Sequence, residues 1–401
     1  RMVDMPMNVG ADNLVHVGLW EPVHLVAVGP AYAEDVFAKP SVENKELGLE
    51  LTLRNPGEAR TVTIEKRVHP WSQDGLGGAE KTFEARDVQL AAGEEKVVEV
   101  AEGWDDPKLW WPDDPNLYVV ETVLLEDGEE IDRKHTRFGF REWGWKEGTL
   151  FTLNGYPWQI WADLNRTSDP ADFPEFAHER GAPAFRFWRH EGWGGKTRKE
   201  IMNIMDEGGV VVRDSGIWDG QVGNYGMGLV EERDGQRTYN HAFINNMIDQ
   251  NRAWVRANRN HPSIMIWSLE NEVTYINSNN RGMGEEFEPG LRLLAEAVMQ
   301  EDPTRPVMID GGNALIPPEE WEGVGEDVKA LGHLPVNGAH YLEDEPMGAG
   351  TYPDSQYNVE DYWGGDFRQR ETWPVLMDRP TFHGEYFFGN GCSTGRLAIF
   401  G

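Results

Sequence analysis

Apolar and polar residues alternate in short runs over the first third of the chain. The runs Lys45–Asn55, Thr61–Val68, Lys81–Asp87, Glu95–Glu102, Leu117–Glu126 and Glu130–Phe138 are divided by turn-rich pieces such as Asn55-Pro56-Gly57 and Asp127-Gly128. Period-two runs at this spacing predict an antiparallel β-sandwich of immunoglobulin-like size over residues 31–142. Upstream, Val15–Leu19 and Pro22–Val28 are strand-like but too few to hold a core, so residues 1–30 read as the tail of a larger unit. From Phe151 the pattern changes to strand–helix alternation, which predicts a parallel α/β sheet. Strands are expected at Pro157–Asp163, Ala184–Trp188, Val210–Arg213, Ile264–Leu269, Val307–Ile309, Val336–His340 and Pro380–His383. Helices are expected at Pro170–Arg180, Lys196–Glu207, His241–Asn258 and Gly284–Gln300. The third helix spaces Phe243, Ile244, Met247, Ile248, Trp254 and Val255 on one face. Seven strands fall one short of a (β/α)₈ TIM barrel. The fold expected is therefore multidomain: a sandwich followed by a barrel over residues 143–401 that stops before its eighth strand, as in the middle section of a longer protein or a truncated product.

One stretch organises the rest. It runs Asn258-Arg259-Asn260-His261-Pro262-Ser263-Ile264-Met265-Ile266-Trp267-Ser268-Leu269-Glu270-Asn271-Glu272. Pro262 cannot continue a helix, so the preceding one stops near Asn260. The nearly unbroken apolar run reads as a strand buried on both faces. It ends in Glu270-Asn271-Glu272, at the strand edge where barrel and doubly wound folds build active sites. A carboxylate there is a candidate acid or base, or a structural ion-pair partner.

Composition changes this picture only in part. The chain has 401 residues and carries 17 Trp, a heavy indole load that suits stacking on sugar faces, although any single Trp is more often core. The net charge of −32 repels nucleic acid and anionic membranes. No apolar run is long enough to span a membrane. The single cysteine, Cys392, excludes an intrachain disulfide and Cys-rich metal sites. Compartment and homo-oligomerisation stay open.

Glu272 has a candidate partner in Glu385, within Phe382-His383-Gly384-Glu385-Tyr386 at the end of the seventh expected strand. Two strand-end carboxylates facing one cavity can divide acid and nucleophile roles, as in retaining glycoside hydrolysis. General acid–base work on another substrate stays open on these residues alone.

The 258–272 stretch closely resembles the acid/base signature of glycoside hydrolase family 2, which contains β-galactosidases, β-glucuronidases and β-mannosidases. Gly18-Leu19-Trp20-Glu21-Pro22-Val23 resembles the end of that family's N-terminal jelly-roll sugar-binding domain. Leu109-Trp110-Trp111-Pro112, Pro115-Asn116-Leu117-Tyr118 and Phe138-Gly139-Phe140-Arg141 resemble its immunoglobulin-like domain, and Leu153-Asn154-Gly155 the start of its barrel. The resemblance implies Glu272 as general acid/base, Glu385 as nucleophile and Asn271 as the partner of the sugar 2-hydroxyl. It also implies Arg186 as the cation near the nucleophile, and Tyr341, after His340, as its tyrosine partner. Trp110 and Trp111 read either as a sugar platform or as packing at the domain junction.

Several positions depart from the family pattern. Glu270 stands where Gly is usual, and would either raise the pKa of the acid or form a salt bridge. Phe187-Trp188-Arg189-His190 replaces Ser-His-Tyr-Pro, so the pocket is expected to differ, with His190 as a sugar ligand or a structural histidine. Asp214 is a candidate sugar-hydroxyl acceptor, and Trp193 and Trp218 are candidate stacking aromatics. The carboxylate-plus-His arrangement by which some β-galactosidases bind magnesium is lacking, so no metal or cofactor is expected. The leading expectation is a retaining exo-β-glycosidase acting on a carbohydrate, β-galactosidase by commonness in the family and β-glucuronidase as the alternative. A non-catalytic carbohydrate-binding protein on a decayed barrel is the reading from another class. A metal-dependent amidohydrolase would need a His/Asp ligand cluster that cannot be assembled.

Overall fold

The structure is a computed structural model that describes residues 23, 25–146, 150–158, 162, 166–188, 192–216, 229–271, 284–310, 337–340 and 381–385. Two antiparallel sheets come first. One orders β1 (Tyr32–Ser41), β2 (Glu46–Arg54) and β5 (Glu95–Gly103), with β2 in the middle. The other is built around β3 (Arg60–Ser72), flanked by β4 (Arg86–Leu90) on one side and β6 (Leu117–Glu126) and β7 (Glu129–Phe138) on the other. Leu47, Leu49, Leu51 and Leu53 of β2 alternate inward onto Val62, Ile64, Val120 and Leu124, forming the sandwich core. The β6–β7 turn places Asp127 and Gly128 at positive φ (53° and 84°), the two-residue turn whose twist suits a hairpin.

The sequence pattern misplaces three pieces here. β1 was not among the expected strands. It carries Pro40 and a bulge between Ala33 and Asp35, which break the alternation, and as an edge strand it tolerates the proline. The expected run Lys81–Asp87 splits into Lys81–Thr82 and Arg86–Leu90, with Phe83 turned into the core between them. Residues 23 and 25–28, expected as strand, have no regular structure.

A hairpin of β8 (Trp143–Lys146) and β9 (Leu150–Leu153) then leads into the second unit. Residues 156–157 pair back onto β9, and residues 158 and 162 are not strand, so a first barrel strand over Pro157–Asp163 is not seen among the described residues. Next come α1 (Phe173–Glu179), β10 (Ala184–Trp188), α2 (Arg198–Glu207), β11 (Val211–Ser215), α3 (His241–Asn258), β12 (Ile264–Asn271), α4 (Gly284–Glu301) and β13 (Val307–Asp310). The four strands form one parallel sheet in chain order, β10-β11-β12-β13. A parallel pair, β14 (Asn337–His340) and β15 (Thr381–Glu385), continues beyond β13. Uniform order without reversal is the pattern of a barrel rather than a doubly wound sheet.

Local chemistry sets the helix starts. Thr197 and Glu200 form a reciprocal capping box on α2, and the Asn240 side chain accepts from Phe243 N (3.0 Å) at the start of α3. Ile244, Met247, Trp254 and Val255 of α3 are buried as their spacing predicts. The long connection before α3 holds an unexpected hairpin, Val230–Arg233 with Gln236–Tyr239, turned by Asp234-Gly235 at positive φ.

Candidate active site at the carboxyl edge of the sheet

Packing assigns the two faces of the parallel sheet, with alternation interrupted along β12, where the register shifts between Ile264 and Ile266 and again between Ser268 and Asn271. Phe185, Phe187, Val212, Trp267 and Leu269 pack against the helices. Ala184, Val211, Met265, Ile266 and Met308, near the amino ends of their strands, pack instead with Trp110, Trp143 and Leu153 from the sandwich side. The amino end of the barrel interior is thus closed by an apolar plug. Trp110 is fully buried and its Nε1–H donates to Asp206 O (2.9 Å), so this tryptophan belongs to the domain junction and not to a sugar platform.

Further along the same interior face the residues turn polar: Arg186 and Trp188 on β10, Arg213 and Ser215 on β11, Ser268 on β12. Arg186 Nε donates to Ser215 Oγ (2.9 Å), and its guanidinium lies 3.5 Å from the Trp188 ring centre. Arg213 Nη2 approaches Ser268 Oγ at 3.4 Å. Glu270 is completely buried, in a stretch where the register against β13 shifts between Ser268 and Asn271. The strands end in register, with Trp188 beside Ser215, Asn271 beside Asp310, and His340 beside Glu385. Asn271 and Glu385 are each the last residue of a parallel strand. Gly216 has a specific task at this edge, because a Cβ there would meet Leu269 O at 2.4 Å.

Two expected substrate contacts have other roles. Trp193 is 6% exposed, donates from Nε1 to Thr167 O (2.8 Å) and packs edge-on against Phe173 and Phe185. Its indole is core, with no open face for a sugar. Asp214 is 0% exposed, lies on the helix side of β11 and is ion-paired to Arg198, whose guanidinium covers Phe187 (4.9 Å). That pairing replaces the expected sugar-hydroxyl contact. Glu272, His190, Trp218 and Tyr341 lie outside the described residues, as do the side chains of Asn271, His340 and Glu385. Ser215 and Arg213 were missed, although three consecutive polar residues closing the strand Val211–Ser215 were a usable signal. Among the described residues no group of three or more His, Cys, Asp or Glu is placed to hold a metal ion.

At the opposite, amino end the first half of the 258–272 stretch meets the sandwich. Asp206 at the end of α2 is fully buried and accepts from His261 Nδ1 (2.6 Å), Ser263 N (3.2 Å), Ser263 Oγ (2.6 Å) and Arg137 Nη2 (3.3 Å). Burial pushes its pKa up, but the His261 charge and hydrogen bond, with Arg137 and Ser263, outweigh this and leave it below the usual aspartate value. Asp302 is held down in the same sense, burial being overcome by Arg305, Thr304 and the Trp267 indole N–H (2.8 Å). These buried carboxylates are saturated with donors, as ion pairs in structural positions must be.

Residues 31–141 match the family model described as glycosyl hydrolases family 2, and residues 197–398 match that described as the family 2 TIM barrel domain. A putative beta-glucuronidase of Formosa agariphila is 27% identical over 278 residues, 64% of this chain and 24% of its own length. A beta-galactosidase of Vibrio cholerae is 26% identical over 318 residues, 74% of this chain and 28% of its own. The chain therefore spans about a quarter of the length of these curated relatives. A family 2 member from Bacteroides cellulosilyticus superposes with a TM-score of 0.58 at 23% identity, over 79% of this chain and 38% of its own, a likeness of fold alone. With both regions matched and the larger match covering more than half of its residues, the chain belongs to glycosyl hydrolases family 2.

Proposed function

We propose that the protein is a retaining exo-β-glycosidase working by double displacement. In this reading residues 31–142 are the immunoglobulin-like domain, 143–401 belong to the catalytic barrel, and 1–30 end a jelly-roll domain. Glu272, protonated, assists departure of the aglycone while Glu385 attacks the anomeric carbon and forms a glycosyl ester. Glu272, now a carboxylate, takes a proton from water, which releases the sugar with its configuration retained. Asn271 bonds the sugar 2-hydroxyl, and Arg186 supplies positive charge that favours the ionised nucleophile. His340, Tyr341, His190 and Trp218 are the further residues assigned to sugar binding in this reading.

The observation that carries this reading is that Asn271 and Glu385 each end a parallel strand, while along β10–β12 the interior face turns from apolar to polar toward that end. The substrate is a terminal β-linked sugar. β-Galactosides lead by their commonness in the family, and β-glucuronides follow because relatives bear that name as well. Kinetics of Glu272→Ala and Glu385→Ala in the full-length protein, on a panel of aryl β-glycosides with and without azide, test it. Azide is expected to rescue both variants, giving the β-glycosyl azide with Glu272→Ala and the α-glycosyl azide with Glu385→Ala. Undiminished turnover by either variant overturns the assignment.

A further inference from the structure

Six residues of the motif, 258–263, lie at the foot of β12, where they are held from both units. The Asn260 side chain bonds the outer edge of β1 twice, accepting from Ala38 N at 2.9 Å and donating to Val36 O at 2.8 Å. Arg259 is 4% exposed, lies 4.2 Å over the Phe37 ring and donates to Asp35 Oδ2 (2.6 Å) and Glu301 O (2.7 Å). Arg141, just past β7, donates to Pro262 O (3.1 Å) and Ile264 O (3.3 Å). Arg305 donates to His261 O and Ile264 O, each at 2.8 Å. Gly139 closes the contact, since a Cβ there would stand 2.7 Å from Pro262 Cβ.

From this foot β12 runs eight residues, Ile264–Asn271, and Glu272 follows directly. At about 3.3 Å per residue the two ends are at most roughly 23 Å apart, the register shifting against β11 between Ile264 and Ile266 and against β13 between Ser268 and Asn271. Residues 264–270 are all buried, so a shift at the foot has no slack side chains to absorb it. We infer that Asn260 and Arg259 are positioning residues, seating the foot of β12 on the sandwich and thereby fixing the height at which the strand delivers its terminal acid. The inference rests on the reading of Glu272 as acid/base. An acid displaced by about an ångström loses much of its effect, and the changes responsible can lie far from the chemistry.

The test uses leaving groups, because a phenoxide needs protonation to depart and a 2,4-dinitrophenoxide does not. In the full-length protein, kcat/KM for the phenyl and 2,4-dinitrophenyl β-glycosides of the preferred sugar is measured for Asn260→Ala and Arg259→Lys. The phenyl glycoside is expected to lose about tenfold or more, out of the roughly 10²–10⁴-fold that a placed acid contributes, with the dinitrophenyl glycoside nearly unchanged. Equal losses on both substrates, tracking melting temperature, would show a purely structural role and overturn the inference. Should Asn260→Ala not fold, Arg259→Lys decides alone. Glu272→Ala separates the two claims: if it fails to discriminate between leaving groups, the acid/base reading is the one that falls.

Discussion

The two ends of the barrel interior are built from the same strands and solve opposite problems. At the amino end, Trp110, Trp143 and Leu153 seal the sheet, and each buried carboxylate there is satisfied by donors from several elements. At the carboxyl end, Arg186, Arg213, Ser215 and Ser268 put polar groups onto an interior face that is apolar a few residues earlier. The lesson is that a buried charge in this fold is read by its end of the strand. Saturation at the amino end serves stability, whereas the carboxyl end is the edge at which barrels build their sites.

The largest effect comes from breaking the amino end. Asp206→Ala leaves the donors of His261, Ser263 and Arg137 without their shared acceptor and is expected to cost about 3–5 kcal/mol, read by urea denaturation. Acid probes the same end more gently. Asp206 and Asp302 have depressed folded pKa values, so the unfolded chain binds protons first as pH falls. Their stabilisation is present in full above the unfolded aspartate value of about 3.9 and is lost as pH falls through the lower folded values. Asp206→Asn should flatten that acid limb in a pH series of melting temperatures.

Breaking the carboxyl end should look different. Ser215→Ala removes the acceptor of Arg186 Nε at a cost of about 1 kcal/mol, and glycosidase activity is expected to fall out of proportion to that loss. A loss of stability as large as that of Asp206→Ala, with activity intact, would erase the distinction. Smallest is Arg256→Ala, which removes the ion pair of a half-exposed Arg256 with Glu301 (2.8 Å), a carboxylate that Arg259 still holds, and should shift stability by under about 1 kcal/mol.

Much of this fold was legible because its signals are local. The spacing in His241–Asn258 marked the helix and its buried face, and the unbroken apolar run from Ile264 marked a strand buried on both sides. β1 was missed because Pro40 and a bulge hide its period, and because Arg259 and Asn260, more than two hundred positions away, cover its edge. The hairpin at Asp234-Gly235 did carry a turn signal, overlooked inside a long polar connection. The site was legible by residue type more than by contact. Asp214 and Trp193 read as ligand groups until strand phase and packing turned them to the helix side and the core. The motif itself read as one catalytic signature, yet its first half meets the sandwich, a division that only tertiary contacts reveal.

Trapping the glycosyl–enzyme intermediate tests the central claim most directly. The full-length protein is incubated with a 2-deoxy-2-fluoro β-glycoside of its preferred sugar, and the labelled peptide is mapped by mass spectrometry. One sugar per chain, attached at Glu385, is the expected result. A label on another residue, or turnover without any covalent adduct, would contradict it.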